Sequence, residues 1–131
     1  MAHKLVEIAV EARLRAETVL PVFVENVIAE PPADGSPFLI LQFPVASVER
    51  WPISSRVYRE TGAFRLVLHV QAGTGTDQIR EFGEQLAAIF CDKTFDRVNC
   101  RVPGAPFIDD SPEGGLIWAS VVVPYDFTFN R

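Results

Sequence analysis

The chain has 131 residues, with a hydrophobic share of 48% and a charged share of 22%, which is the size and composition of one ordinary globular domain. Its net charge of −5 argues against a dedicated nucleic-acid-binding protein, because such proteins depend on clustered Lys and Arg side chains. No apolar stretch approaches the ~20 residues of a membrane span, so we expect a soluble protein made in the cytoplasm.

The first predicted element is a helix from His3 to Thr18. Pro21 then ends it, because the residue before a proline is pushed out of helical geometry. Apolar residues recur along this segment at spacings of three and four, which places them on one helical face. They are Leu5, Ile8, Ala9, Ala12, Ala16 and Val19.

Strand patterns follow the helix. Residues 22–28 are β-rich, and the turn-forming residues of 30–37 predict a loop. Residues 38–45 are apolar on both faces, which is typical of a covered central strand or of a strand that presents one face to a partner. Pro44 lacks a backbone N–H and predicts a sheet edge or a bulge near that point.

The next stretch, 46–62, is the least regular part of the sequence. After it, apolar residues alternate with mostly polar ones, which predicts a strand with one face inward. The inward set is Phe64, Leu66, Leu68 and Val70.

A glycine-rich turn at 72–77 precedes a second predicted helix, with Thr74 or Thr76 as the N-cap. Its apolar stripe extends to about Asp92 and consists of Ile79, Phe82, Leu86, Ile89 and Phe90. A short strand is predicted at 98–102.

The segment 103–115 is loop-rich, with Gly114 and Gly115 as a hairpin turn. A long strand, 116–129, follows. We therefore predict a single α+β domain spanning 1–131, with a mixed or antiparallel sheet of about four to six strands packed against two helices. One face of the last strand carries Ile117, Ala119, Val121, Val123, Tyr125, Phe127 and Phe129.

Candidates for an active site are few. His3 lies near a chain end, and His69 lies in mid-strand, where it alternates with the apolar face and is expected to point to solvent or a neighbouring subunit. A histidine needs an orienting partner to act as a base. The turn at 73–76 lacks the Lys-Ser/Thr pair of a phosphate loop. The acidic stretch 109–113 matches no calcium-loop spacing. We predict no catalytic, cofactor or metal site.

Two cysteines, Cys91 and Cys100, have no zinc-site spacing and are predicted to be small, buried or half-buried thiols.

Four arginines form the one charged feature that suggests a binding role. Arg50, Arg56 and Arg59 lie in the irregular stretch, and Arg65 begins the strand that follows. Guanidinium groups bind carboxylates and phosphates well, so we predict an interface with an acidic partner or a phosphate at these residues. The alternative is a solvated loop with local ion pairs, which add little stability.

The layout resembles the tail-terminator-like family of siphophages, prophages and gene transfer agents. The features that carry this resemblance are the segment from Pro21 to Asn26, the proline-rich loop, the apolar strand 38–45 and the final strand with Pro124-Tyr125. The most specific piece is 62–90, a strand followed by a glycine turn and an amphipathic helix. The resemblance spans nearly the whole chain, except the loop from Arg50 to Arg59.

The resemblance implies a virion structural protein at the neck end of the tail, without catalytic residues or cofactor. Such a protein forms a homo-hexameric ring that caps the tail tube protein, stops tube polymerisation and offers a face to the neck or stopper proteins of the head. DNA would pass through the ring without specific binding. The negative net charge of the chain is compatible with such a lumen, because like charges repel. The alternatives are a neck, head-completion or tube component, or a small ligand-binding α+β domain.

Overall fold

A computed structural model describes residues 2–18, 20–24, 37–50, 56–71, 77–113 and 116–130. The two helices are α1 (Lys4–Glu17) and α2 (Asp77–Phe90). The strands are β1 (Val22–Val24), β2 (Phe38–Arg50), β3 (Val57–Gln71), β4 (Thr94–Phe95), β5 (Val98–Cys100), β6 (Phe107–Glu113) and β7 (Leu116–Asn130).

The strands form one seven-stranded sheet in the order β1-β2-β3-β7-β5-β4, and β6 also pairs with β7. β1 is parallel to β2, and every other pairing is antiparallel. The longest pairing joins β3 to β7, from Val57 opposite Asn130 to Gln71 opposite Leu116. The predicted α+β fold class is confirmed.

One face of this sheet carries the hydrophobic core. The predicted inward set of β3 is buried, and so is the predicted face of β7 from Ala119 to Phe129. Both helices contribute to the same core, α1 through Val6, Val10 and Leu14, and α2 through Ile79, Leu86 and Phe90. The period-two patterns therefore identified the inward face of both central strands.

The predicted helix α1 is confirmed, but its buried face differs from the apolar stripe that the sequence spacing indicates. The buried residues are Val6, Ala9, Val10 and Leu14. Among the described residues of the predicted stripe, only Ala9 is buried, whereas Leu5 is 47% and Ile8 52% exposed, and Ala12 and Ala16 are also exposed. Val19, the last residue of that stripe, lies outside the described residues. The segment has two apolar stripes, and spacing alone does not say which of them faces the sheet.

The stretch 46–62, predicted to be irregular, is mostly a β-hairpin. β2 continues to Arg50, and its pairing with β3 runs from Ala46 opposite Gly62 to Arg50 opposite Tyr58. Val45, Ser47 and Val48 are exposed in this half of β2, so the sequence there lacks the alternation of a half-buried strand. The bulge predicted at Pro44 is confirmed by a register shift between Gln42 and Val45.

Part of the predicted loop 103–115 is also a strand. β6 pairs with β7, with Phe107 opposite Ser120 and Glu113 opposite Leu116. The sequence did not predict this strand, because it contains Pro112 and acidic residues, and proline and aspartate are depleted in strands. The predicted turn at Gly114 and Gly115 and the predicted caps Thr74 and Thr76 lie outside the described residues.

Arg13 joins the two helices. Its Nε and Nη2 donate to the carbonyl oxygen of Ile89 at 3.0 and 2.9 Å, in the last turn of α2. Its guanidinium also lies 5.1 Å from the ring centroid of Phe95. α2 has no basic residue of its own in that turn, so α1 supplies the cation that the negative end of the helix dipole favours.

We expect Arg13→Met to lower the free energy of unfolding by about 1–3 kcal/mol, because a charged hydrogen bond and a ring contact are lost together. Urea denaturation followed by circular dichroism measures this change. The control is Arg15→Met, since Arg15 makes an exposed pair with Glu11 at 2.9 Å and such pairs contribute about 0.3–0.5 kcal/mol. Equal losses in the two variants would contradict the assigned role of Arg13.

Candidate assembly surfaces

A buried carboxylate fixes the position of α1 on the sheet. Glu60 on β3 is 2% exposed, and its Oε2 accepts a hydrogen bond of 2.8 Å from the Tyr125 hydroxyl. The backbone N–H of His3, the N-cap of α1, donates to both carboxylate oxygens at 3.0 and 3.1 Å. The carboxylate therefore lies at the positive end of the helix dipole, where negative charge is favoured.

Tyr125 and Gly62 pack closely around the Glu60 carboxylate. Burial and the hydrogen bond to Glu60 raise the pKa of Tyr125 well above its ordinary value. A Cβ on Gly62 would lie 2.3 Å from the carbonyl oxygen of Val45 and 3.0 Å from the Tyr125 hydroxyl, so only glycine fits there. Glu60 was not among the predicted inward residues, although its position on β3 is in phase with Phe64 and Leu66.

The four predicted interface arginines do not form one cluster. Arg50 and Arg59 lie on the outer half of the β2–β3 hairpin, and the exposed Arg56 directly precedes β3. Arg65 is six residues further along β3 than Arg59, a separation of roughly 20 Å at ~3.3 Å per strand residue. Arg50 pairs with Tyr58 and packs over its ring at 5.9 Å, so it lies on the opposite face of the hairpin from Arg59, the next residue of β3. Arg56 and Arg59 at the hairpin end are here called the arginine surface.

Asp126 connects that arginine surface to the opposite edge of β7. Its carboxylate accepts hydrogen bonds from Asn99 at 3.0 Å and from Arg101 at 3.2 Å, and Arg59 lies 3.5 Å away. Burial alone would raise the pKa of Asp126, but the two hydrogen bonds and the charges of Arg59 and Arg101 outweigh it and lower this pKa.

A carboxyl group whose pKa is lowered by folding stabilises the fold at pH values above its unfolded pKa. That stabilisation is lost as the pH falls through the folded pKa. We therefore expect the wild-type melting temperature to fall below about pH 4 partly through Asp126, taking ~3.9 as the unfolded value. In Asp126→Asn this part of the acid sensitivity should be missing, as thermal melts between pH 7 and pH 3 would show. An unchanged difference between pH 7 and pH 3 would contradict the assignment.

The face of the sheet opposite the core carries a second apolar surface. Phe38 and Val67 are buried there but are not part of the core cluster. His69, predicted to face solvent or a neighbouring subunit, is half-buried on this face and stacks on Phe38 with ring centroids 4.7 Å apart. Burial lowers the pKa of His69. Beside these residues lies a groove of about 270 Å³, here called the sheet groove, lined by Ile40, Gln42, Arg65, Val67, His69 and Trp118.

A third surface lies on α1, on the other side of the domain. The exposed residues Leu5, Ile8 and Ala12 form a stripe along the helix, here called the α1 stripe. Leu5 and Ile8 also line a depression with Asp96 and Arg97 of the β4–β5 turn. Both turn residues have positive φ, 46° for Asp96 and 68° for Arg97, which fixes the turn beside the stripe.

Groups that could perform chemistry do not converge in the described residues. There, no three His, Cys, Asp or Glu side chains are close enough to hold a metal ion. The ring of His3 lies 4.8 Å from that of Phe129, while His69 is on the opposite face. Both cysteines are free thiols, Cys91 half-buried and Cys100 buried, as predicted, and burial raises the pKa of Cys100 to about 12. Neither described helix is long and apolar enough to cross a membrane.

Comparison with known proteins identifies the chain's relatives. A family model described as phage tail terminator protein matches residues 5–125. The chain belongs to the phage tail terminator family. The sequence resemblance is thereby confirmed, and the protein has a structural role in a phage tail.

A solved structure has a similar fold. It matches at 25% identity with a TM-score of 0.65, and the match covers 100% of this chain and 99% of that one. No curated protein matches the chain.

Proposed function

We propose that this protein forms a homo-hexameric ring on the end of the tail tube, where it stops tube polymerisation and provides the surface to which the head or neck proteins attach. Membership of the tail terminator family is the observation that carries this proposal. The function needs no cofactor and no catalytic residue, and it places the protein at the neck end of the tail.

The surfaces of the domain support ring formation. A cyclic ring needs two different patches on each subunit, since one face of each copy meets another face of the next. The sheet groove and the α1 stripe are two such patches on opposite sides of the domain. The net charge of −5 suits a lumen through which DNA passes, because like charges repel.

Tail length in particles made without this gene tests the proposed function. We expect negative-stain electron microscopy to show headless tubes of irregular and excessive length. Tails of normal length that fail to join heads would instead assign the protein to the neck. Normal particles would contradict both assignments. Complementation with the wild-type gene is the control for the deletion.

The arginine surface at the hairpin end is proposed to contact the tube or neck proteins. We expect charge reversal at Arg56 and Arg59, to Glu at both positions, to reduce the yield of complete particles by at least about tenfold, since like charges across an interface are strongly unfavourable. The domain should stay folded, because both side chains lie outside the core and Asp126 keeps Asn99 and Arg101 as partners.

A matched control variant reverses two exposed cations elsewhere, Arg80 on α2 and Lys93 after it. It changes the net charge by the same amount and should leave particle yield unchanged. Thermal melts of both purified variants separate lost docking from lost folding. Normal yield from the Arg56 and Arg59 variant would overturn the proposed contact.

A further inference from the structure

The sheet groove contains a guanidinium group without an anionic partner in the described part of the chain. Arg65 is half-buried, and its Nε donates to the Gln42 Oε1 at 2.8 Å, with Nη2 bonded to the same oxygen. None of the ion pairs among the described residues includes Arg65. A cation in apolar surroundings is strongly stabilised by a carboxylate, so this groove suits an apolar ridge that carries a negative charge.

The groove is apolar around that charge. Val67, at the centre of the groove, is only 8% exposed. Ile40 lies opposite Val67 on β2, and Trp118 lies opposite His69 on β7. Both helices pack on the other face of the sheet, as the core cluster shows. Within the described residues, no helix covers this side.

The α1 stripe has the complementary properties. Leu5 and Ile8 protrude from a helix with 47% and 52% of their surface exposed, so they form a ridge and not a groove. Asp96 lies beside them, is exposed, and takes part in none of the described ion pairs. Arg97, its neighbour, is instead placed with its guanidinium 5.8 Å from the ring centroid of Phe127.

We infer that the sheet groove of one copy of this chain receives the α1 stripe of the next copy, with Arg65 of the first paired to Asp96 of the second. This inference rests on the proposed ring and names its subunit interface. The two patches lie on opposite sides of the domain, so the contact is heterologous. Such a contact closes into a ring when the rotation between neighbours allows it.

Charge reversal in two separate chains tests the pairing. In Arg65→Asp, aspartates meet across every contact, and in Asp96→Arg, arginines do. We expect each variant alone to assemble at least about tenfold more weakly than wild type, because like charges in contact are strongly unfavourable. An equimolar mixture of the two variants should assemble again, since an alternating ring places an Asp opposite an Arg at every contact. The double variant in one chain should assemble for the same reason.

Assembly is measured by native mass spectrometry and by electron microscopy of rings on the ends of purified tail tubes. Arg80→Asp, at an exposed position of α2 outside both patches, is the matched control and should assemble normally. Cooperative melting of each variant confirms folding. Arg65→Gln, which removes the charge without adding repulsion, keeps the test valid should Arg65→Asp not fold, and it should also weaken assembly.

The outcomes separate the two proposals. Wild-type rings together with normal rings from Arg65→Asp and Asp96→Arg would overturn the interface and leave the ring in place. Weak single variants that neither the mixture nor the double variant rescues would also overturn the pairing. Wild-type chains that form no ring even on tube ends would overturn the proposed function, and the interface with it.

Discussion

Leu68→Asp is expected to unfold the domain. Leu68 is 1% exposed at the centre of the core, with Leu39 opposite it on β2 and Ala119 opposite it on β7. A carboxylate there has no partner, and burying an unpaired charge costs several kcal/mol in addition to the lost packing. The expected loss of more than about 4 kcal/mol is a large part of the ~5–15 kcal/mol by which domains are typically stable.

Val122→Asp provides the matched control for this variant. It introduces the same charge on β7, but Val122 is 43% exposed on the opposite face of the sheet. We expect it to be soluble and to melt within a few degrees of the wild type. Circular dichroism melts of the two variants give the comparison. A soluble Leu68→Asp protein that melts cooperatively would show that the inward face of β3 has been assigned wrongly.

Glu60→Ala is expected to destabilise the domain by about 2–4 kcal/mol. The substitution leaves the buried Tyr125 hydroxyl and the partly buried His3 amide without their acceptor, and a buried unsatisfied group costs about 1–3 kcal/mol. Because His3 caps α1, amide hydrogen exchange in the first turn of this helix should also accelerate. Urea denaturation measures the global loss, and exchange mass spectrometry measures the local one.

Two further variants distinguish this network from simple loss of volume. Glu60→Gln retains an acceptor oxygen and should lose less stability than Glu60→Ala. Tyr125→Phe combined with Glu60→Leu replaces the pair by apolar groups, and it should also be less destabilised, because one buried group fewer is left unsatisfied. A loss below about 0.5 kcal/mol in Glu60→Ala would rule out the anchoring role.

The sequence was most informative where a segment has one buried face. The alternation in β3 and β7 identified their inward residues, and the amphipathic pattern identified α2. It was least informative for the outer half of the β2–β3 hairpin. Much of the surface of these residues is exposed to solvent. Backbone hydrogen bonds pair the two strands, and backbone pairing does not require apolar residues at alternate positions.

The candidate surfaces were only partly predictable. An excess of arginine drew attention to Arg50, Arg56, Arg59 and Arg65. Only strand register shows that Arg65 lies far along β3 from Arg59 and that Arg50 lies on the other face of the hairpin. The α1 stripe was recognised as part of one apolar helical face, but periodicity does not reveal what covers a helix face. Asp96 had no signal at all, since it reaches Leu5 and Ile8 only through the packing of the β4–β5 turn.

The central position of β7 has a consequence for the kinetics of folding. β7 lies between β3 and β5, and its residues pair with partners far away in sequence, such as Val57 with Asn130. Contacts of such long separation form late and slowly, because the loop-closure entropy is lost before they stabilise the chain. Until β7 pairs with β3, Trp118 does not lie opposite His69 and the sheet groove is incomplete. A partly folded chain therefore lacks one of the two surfaces of the proposed ring, and only finished domains can join one another.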